Sequence, residues 1–88
     1  MKPVLMFTMK SCPYCKQALQ WMDELSKEND QYSRVAVTII DEDLQPDIAK
    51  QYDYYYVPTY FVDGVKLHEG VPTKDIVRNV FERSLENN

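Results

Sequence analysis

The sequence predicts an α/β domain: a mixed four-stranded sheet with helices on both faces, its elements in the order β-α-β-α-β-β-α. Three observations lead there. Short apolar or β-branched runs of strand length alternate with segments of helical spacing. The first two strands are joined through a helix, so the right-handed crossover rule makes them parallel. Asp63-Gly64, between two further strand-like runs, marks a two-residue hairpin, so the last two strands are antiparallel.

Val4 to Thr8 is an apolar run bounded by Pro3 and Lys10, too short for a helix. From Pro13 to about Lys27, Cys15, Ala18, Leu19, Met22 and Leu25 fall on one helical face, with Lys16, Gln20, Asp23 and Glu24 largely opposite. Pro13 suits the first helical position, where a missing N–H costs nothing. Asn29, Asp30 and Ser33 mark a loop. Arg34 to Ile40 is rich in β-branched residues and predicts the second strand, stopped by a solvated Asp41-Glu42-Asp43 loop. Pro46 to Tyr52 predicts a short helix with Ile48, Ala49 and Tyr52 inward. Val57 to Val62 predicts the third strand, broken near its start by Pro58, and Val65 to about Glu69 the fourth. Thr73 to Leu85 closes the chain as a helix, with Ile76, Val77, Val80, Phe81 and Leu85 as its apolar stripe.

An 88-residue chain makes one domain, spanning 1–88, with no room for a second. With 44% hydrophobic and 27% charged residues the mix is that of a soluble globular protein. Seven tyrosines, three phenylalanines and a tryptophan supply enough bulk for a core without a metal staple. The net charge of −4, with scattered lysines and arginines, argues against nucleic-acid binding. The apolar run after Met1 is too short for a secretory signal, and no stretch approaches the roughly 20 apolar residues of a membrane span. A cytoplasmic monomer is expected, and in that compartment paired cysteines are catalytic or metal-binding rather than structural.

Those cysteines are Cys12 and Cys15, the only two in the chain, in the stretch Cys12-Pro13-Tyr14-Cys15. A thiol at a helix start feels the positive end of the helix dipole, which favours the thiolate. A second thiol one turn on is close enough to form a disulfide with the first. Cys12 is therefore the expected nucleophile and Cys15 the resolving thiol. A zinc site usually takes four ligands. The chain offers one further soft donor, His68, remote in sequence, so no metal is expected. Tyr14 should face solvent between the cysteines, where it either lines a substrate groove or acts as a spacer. Lys10 and Lys16 flank the dithiol and suit an anionic substrate or the thiolate. Pro58 would be odd inside a central strand, and a cis peptide in a tight turn resolves the oddity. Of Tyr54, Tyr55 and Tyr56, alternation sends one or two into the core.

The order of elements, with Cys12-Pro13-Tyr14-Cys15 opening the first helix, resembles the thioredoxin fold in its minimal, glutaredoxin-sized form. The motif is the dithiol glutaredoxin version. The segment from Asp41 to Tyr52, followed by Val57-Pro58-Thr59, is more similar to thioredoxin. The resemblance implies that Pro58 is cis and faces the dithiol, and that the backbone of Val57 pairs with an extended substrate segment. Lys10, Pro13, Tyr14, Val57, Pro58 and Thr59 are accordingly the expected substrate-binding residues. Thioredoxins carry a tryptophan where Ser11 stands, and a buried carboxylate where the first strand offers Leu5, Met6 and Phe7. Glutaredoxins place a lysine at the position of Met9, and a paired glycine with an aspartate where Glu69-Gly70-Val71-Pro72-Thr73 stands.

The function implied is thiol–disulfide oxidoreduction on protein disulfides or glutathione mixed disulfides, glutaredoxin-like by its motif. No tightly bound cofactor is expected, with glutathione as a co-substrate if it is the electron donor. The alternative donor is a thioredoxin reductase. Two readings of another class are a redox-responsive module that holds an extended peptide at Val57-Pro58, and a cluster carrier using Cys12 across a dimer.

Overall fold

Five residues from Val4 to Thr8 form strand β1, and their alternation divides the core. Val4 and Met6 point to one face of the sheet, Leu5 and Phe7 to the other. The computed structural model describes residues 1–86, so the last two positions of the expected 1–88 domain lie outside the described residues. The elements that follow are helix α1 (Pro13–Glu28), strand β2 (Val37–Asp41), helix α2 (Pro46–Ala49), strands β3 (Thr59–Val62) and β4 (Val65–Glu69), and helix α3 (Lys74–Leu85). The sheet order is β2-β1-β3-β4. β1 runs parallel to β2 and antiparallel to β3, and β3 is antiparallel to β4. The predicted class and order of elements are those observed.

Helices α1 and α3 cover one face. Ala18, Met22 and Leu25 from α1 meet Val77, Val80 and Phe81 from α3 over Val4, Met6, Tyr60 and Val62. On the other face Phe7, Ile40 and Phe61 pack under Ile48, Ala49, Tyr52 and Tyr54. Phe7 is the centre of this second cluster, with ring centroids 4.7 Å from Tyr54, 5.0 Å from Tyr52 and 5.7 Å from Phe61. Each fully buried side chain of this size contributes about 1.5–3 kcal/mol from burial.

Local chemistry fixes the ends. Thr73 is the N-cap of α3, its hydroxyl accepting the Ile76 N–H at 3.1 Å. Asp63 and Gly64 both adopt left-handed φ, 51° and 81°, as a primed two-residue hairpin requires.

Boundaries differ from the prediction in three places. Arg34 belongs to a short 3-10 turn over Tyr32–Arg34, and β2 begins only at Val37 and includes Asp41. The turn is held by Tyr32, which is buried with its ring 5.7 Å from that of Phe81. α2 stops at Ala49 rather than Tyr52, although Tyr52 still packs inward. β3 begins at Thr59, because Val57-Pro58 is a cis peptide ahead of the strand.

Candidate redox site

Cys12 ends the loop after β1 and is the N-cap of α1, with extended backbone (φ −98°, ψ 105°) and Pro13 next as the first helical residue. Its carbonyl accepts the Lys16 N–H at 3.2 Å, opening the helical ladder. Its side chain fills the place a serine or aspartate oxygen usually takes at an N-cap. The Cys15 N–H, otherwise an orphan donor of the first turn, points at Cys12 Sγ over 3.1 Å. From the other side, the Cys12 thiol donates to the Val57 carbonyl at 3.6 Å, which brings the cis Val57-Pro58 segment against the dithiol.

The two thiols differ in environment. Cys12 is 9% exposed, at the edge of solvent, and Cys15 is 1% exposed. Burial first, then the hydrogen bond with the Cys12 side chain, pushes the Cys15 thiol up to about 12; the Glu42 carboxylate acts in the same direction. That carboxylate also accepts the Tyr54 hydroxyl at 2.9 Å, and burial with this bond raises the Tyr54 phenol. Glu42 is therefore a half-buried neighbour of the site and not the solvated loop residue expected; of Asp41, Glu42 and Asp43 only Asp43 is exposed.

The structure distributes the expected substrate-binding residues unevenly. Lys10, Pro13 and Tyr14 are exposed around the start of α1, Tyr14 by 53%. Val57 is half-buried beside Cys12. Pro58 is fully buried. The Thr59 side chain is buried as well, and its hydroxyl donates to the Tyr56 carbonyl, bracing the loop from inside. A cleft of about 230 Å³ lies beside Cys15, bordered by Met9, Lys10, Lys16, Leu19 and Asp41. A larger one, about 360 Å³ between Glu42, α2 and the tyrosine loop, touches neither cysteine, and Cys12 borders neither cleft.

Of the tyrosine run, Tyr54 packs inward on Phe7, whereas Tyr55 and Tyr56 are 87% and 70% exposed. In the sequence Glu69 stands only as the end of the fourth strand and the start of the turn after it. In the fold its carboxylate accepts the N–H groups of both Tyr55 and Tyr56 and pairs with Lys66 at 2.7 Å. No local signal marks this contact, since 13 residues separate Tyr56 from Glu69. His68 lies on β4 with Nε2 at 3.1 and 3.0 Å from the carbonyls of Gly70 and Val71. Among the described residues no helix is long and apolar enough to cross a membrane.

A family model described as a thioredoxin domain matches residues 4–82. A protein from Methanothermobacter thermautotrophicus named probable thioredoxin is 32% identical over 69 residues, covering 78% of this chain and 79% of its own length. A thioredoxin variant from Halobacterium salinarum superimposes with a TM-score of 0.70 at 25% identity, over 99% of this chain and 77% of its own. The oxidised thioredoxin of Plasmodium falciparum does so with a TM-score of 0.72 at 17% identity, over 97% and 82%, a likeness of fold.

Proposed function

The chain belongs to the thioredoxin-domain family, and on that premise we propose that it reduces protein disulfides through Cys12 and Cys15. One observation carries the reading. An edge thiol at a helix N-cap is paired, over 3.1 Å, with the N–H of a second, buried cysteine one turn on.

The steps balance within the chain. The Cys12 thiolate attacks one sulphur of a substrate disulfide, forming a Cys12–substrate bond and releasing the other sulphur as a thiolate. As negative charge gathers on Cys12 Sγ, the Cys15 N–H is already aimed at it. Cys15 then gives its proton to the substrate thiolate just released and attacks Cys12 Sγ, breaking the Cys12–substrate bond. The second substrate thiol departs, and two electrons have passed from the dithiol to the substrate. Raised to about 12, the Cys15 thiol holds its proton at neutral pH until a mixed disulfide forms beside it. Cys12 therefore attacks first.

For the electron donor we read a thioredoxin reductase. Support comes from the 32% identical relative named probable thioredoxin, and from Met9 and Glu69-Gly70-Val71-Pro72-Thr73 standing where glutaredoxins carry their glutathione contacts. A glutaredoxin-like reading, with glutathione as co-substrate, is favoured by Cys12-Pro13-Tyr14-Cys15 and by Lys10 and Lys16 lining the cleft beside Cys15, where carboxylates would be attracted. Either cycle suits a reducing cytoplasm.

A coupled assay on a disulfide-bonded protein decides, with NADPH and thioredoxin reductase in one arm and NADPH, glutathione reductase and glutathione in the other. Turnover in the first arm is expected. Turnover in the second alone transfers the donor to glutathione, and turnover in neither arm overturns the function.

A further inference from the structure

The loop from Asp53 to Val57 carries the carbonyl that meets Cys12, yet side-chain burial does little to hold its outer half. Tyr55 and Tyr56 point their rings into solvent, 87% and 70% exposed. Their backbone is instead tied to one carboxylate. Glu69 Oε2 accepts the Tyr55 N–H and, at 2.9 Å, the Tyr56 N–H. The other oxygen, Oε1, takes the Lys66 ammonium at 2.7 Å, and the same ammonium donates to the Asp53 carbonyl at 3.1 Å. Lys66 thus closes the clamp at the start of the loop.

The clamp stands on rigid ground. Glu69 is the last residue of β4 and pairs with Thr59 of β3. The Thr59 hydroxyl donates to the Tyr56 carbonyl, and the next amide, Gly70 N–H, donates to the Pro58 carbonyl at 3.0 Å. Gly70 takes φ +98°, a left-handed value that favours glycine. Both ends of the segment Tyr56-Val57-Pro58 are therefore bonded to the β3–β4 edge, and the Val57 carbonyl between them lies 3.6 Å from Cys12 Sγ. The side chain of Glu69 is only 19% exposed, and charge-assisted hydrogen bonds in such a setting are the stronger kind.

We propose that Glu69 is a positioning residue of the dithiol site: through the backbone of Tyr55 and Tyr56 it sets Val57 against Cys12, on the edge that a protein disulfide meets on its way to the thiol. The inference rests on the reductase reading for its substrate. A bulky protein disulfide has to fit against the Val57 segment to reach Cys12, whereas a small aromatic disulfide needs only Cys12.

The test compares wild type, Glu69→Ala and Glu69→Gln. In Glu69→Ala, KM for oxidised insulin should rise roughly tenfold, because a loop no longer held in place has to be ordered on docking. The rate with 5,5′-dithiobis(2-nitrobenzoate) should stay within about twofold, since that reagent bypasses docking. Glu69→Gln keeps an acceptor oxygen and should recover part of the loss. An unchanged KM in Glu69→Ala, or an equal loss on both disulfides, overturns the proposal. Inactivity of the wild type instead counts against the reductase reading. Positioning is then decided by amide exchange and chemical shifts. Glu69→Ala should exchange the Tyr55 and Tyr56 amides faster and shift the Val57 and Cys12 resonances, and unmoved Val57 and Cys12 resonances overturn it.

Discussion

The Cys15 backbone N–H donates to Cys12 Sγ at 3.1 Å, so one cysteine of the motif is the N-cap partner of the other. The pair is asymmetric by construction. One sulphur stands at the solvent edge with a donor aimed at it, and the other is 1% exposed with its proton held.

Selective alkylation reads this asymmetry. Pushed up to about 12 by burial, the Cys15 thiol keeps its proton at pH 8. Iodoacetamide at that pH should modify Cys12 and leave Cys15 unlabelled in the folded protein, as peptide mass spectrometry would report. Labelling of Cys15 at a comparable rate contradicts the arrangement.

The same burial predicts an alkaline loss of stability. The unfolded chain gives up the Cys15 proton near 9.0, whereas the folded one keeps it to about 12. The contribution is complete below the lower value and is lost as pH rises toward the upper one. Tyr54 and Tyr60, also raised by burial, add to the loss above the ordinary tyrosine value of 10.0. Melting temperature followed against pH should fall less steeply in Cys15→Ala than in wild type above about pH 9. Parallel curves contradict the account.

Much of this was legible in the sequence because it is local. Pro13 after Cys12, Thr73 before Lys74 and the Asp63-Gly64 pair each act within a few residues, and the elements they bound lie where predicted. The errors lie where tertiary contacts decide. Arg34 to Ala36 has strand composition, but Tyr32 buries against Phe81 and draws Arg34 into a turn. Tyr54, Tyr55 and Tyr56 are chemically identical, and the Phe7 ring and the Glu42 carboxylate, both brought by the fold, select Tyr54 for the core. Thr59 follows Pro58 in the sequence, and only the start of β3 there shows that its hydroxyl turns back to the Tyr56 carbonyl. Glu69 bonds Tyr55 and Tyr56 only because β4 carries it back past the tyrosine loop.

Phe7 links fold to site, since the cluster it centres includes Tyr54 and Val57. Phe7→Ala should cost about 3–5 kcal/mol in urea denaturation, a large share of the 5–15 kcal/mol typical of a domain. A cost below about 1 kcal/mol would mean that the second core cluster contributes little.

The central claim is that Cys12 attacks and Cys15 resolves, and trapping of the covalent intermediate tests it most directly. Cys15→Ser and Cys12→Ser are each incubated with oxidised insulin, and the products are read by non-reducing mass spectrometry. The account predicts a stable mixed disulfide through Cys12 in Cys15→Ser and none in Cys12→Ser. An adduct through Cys15 in Cys12→Ser, with none through Cys12 in Cys15→Ser, would contradict it.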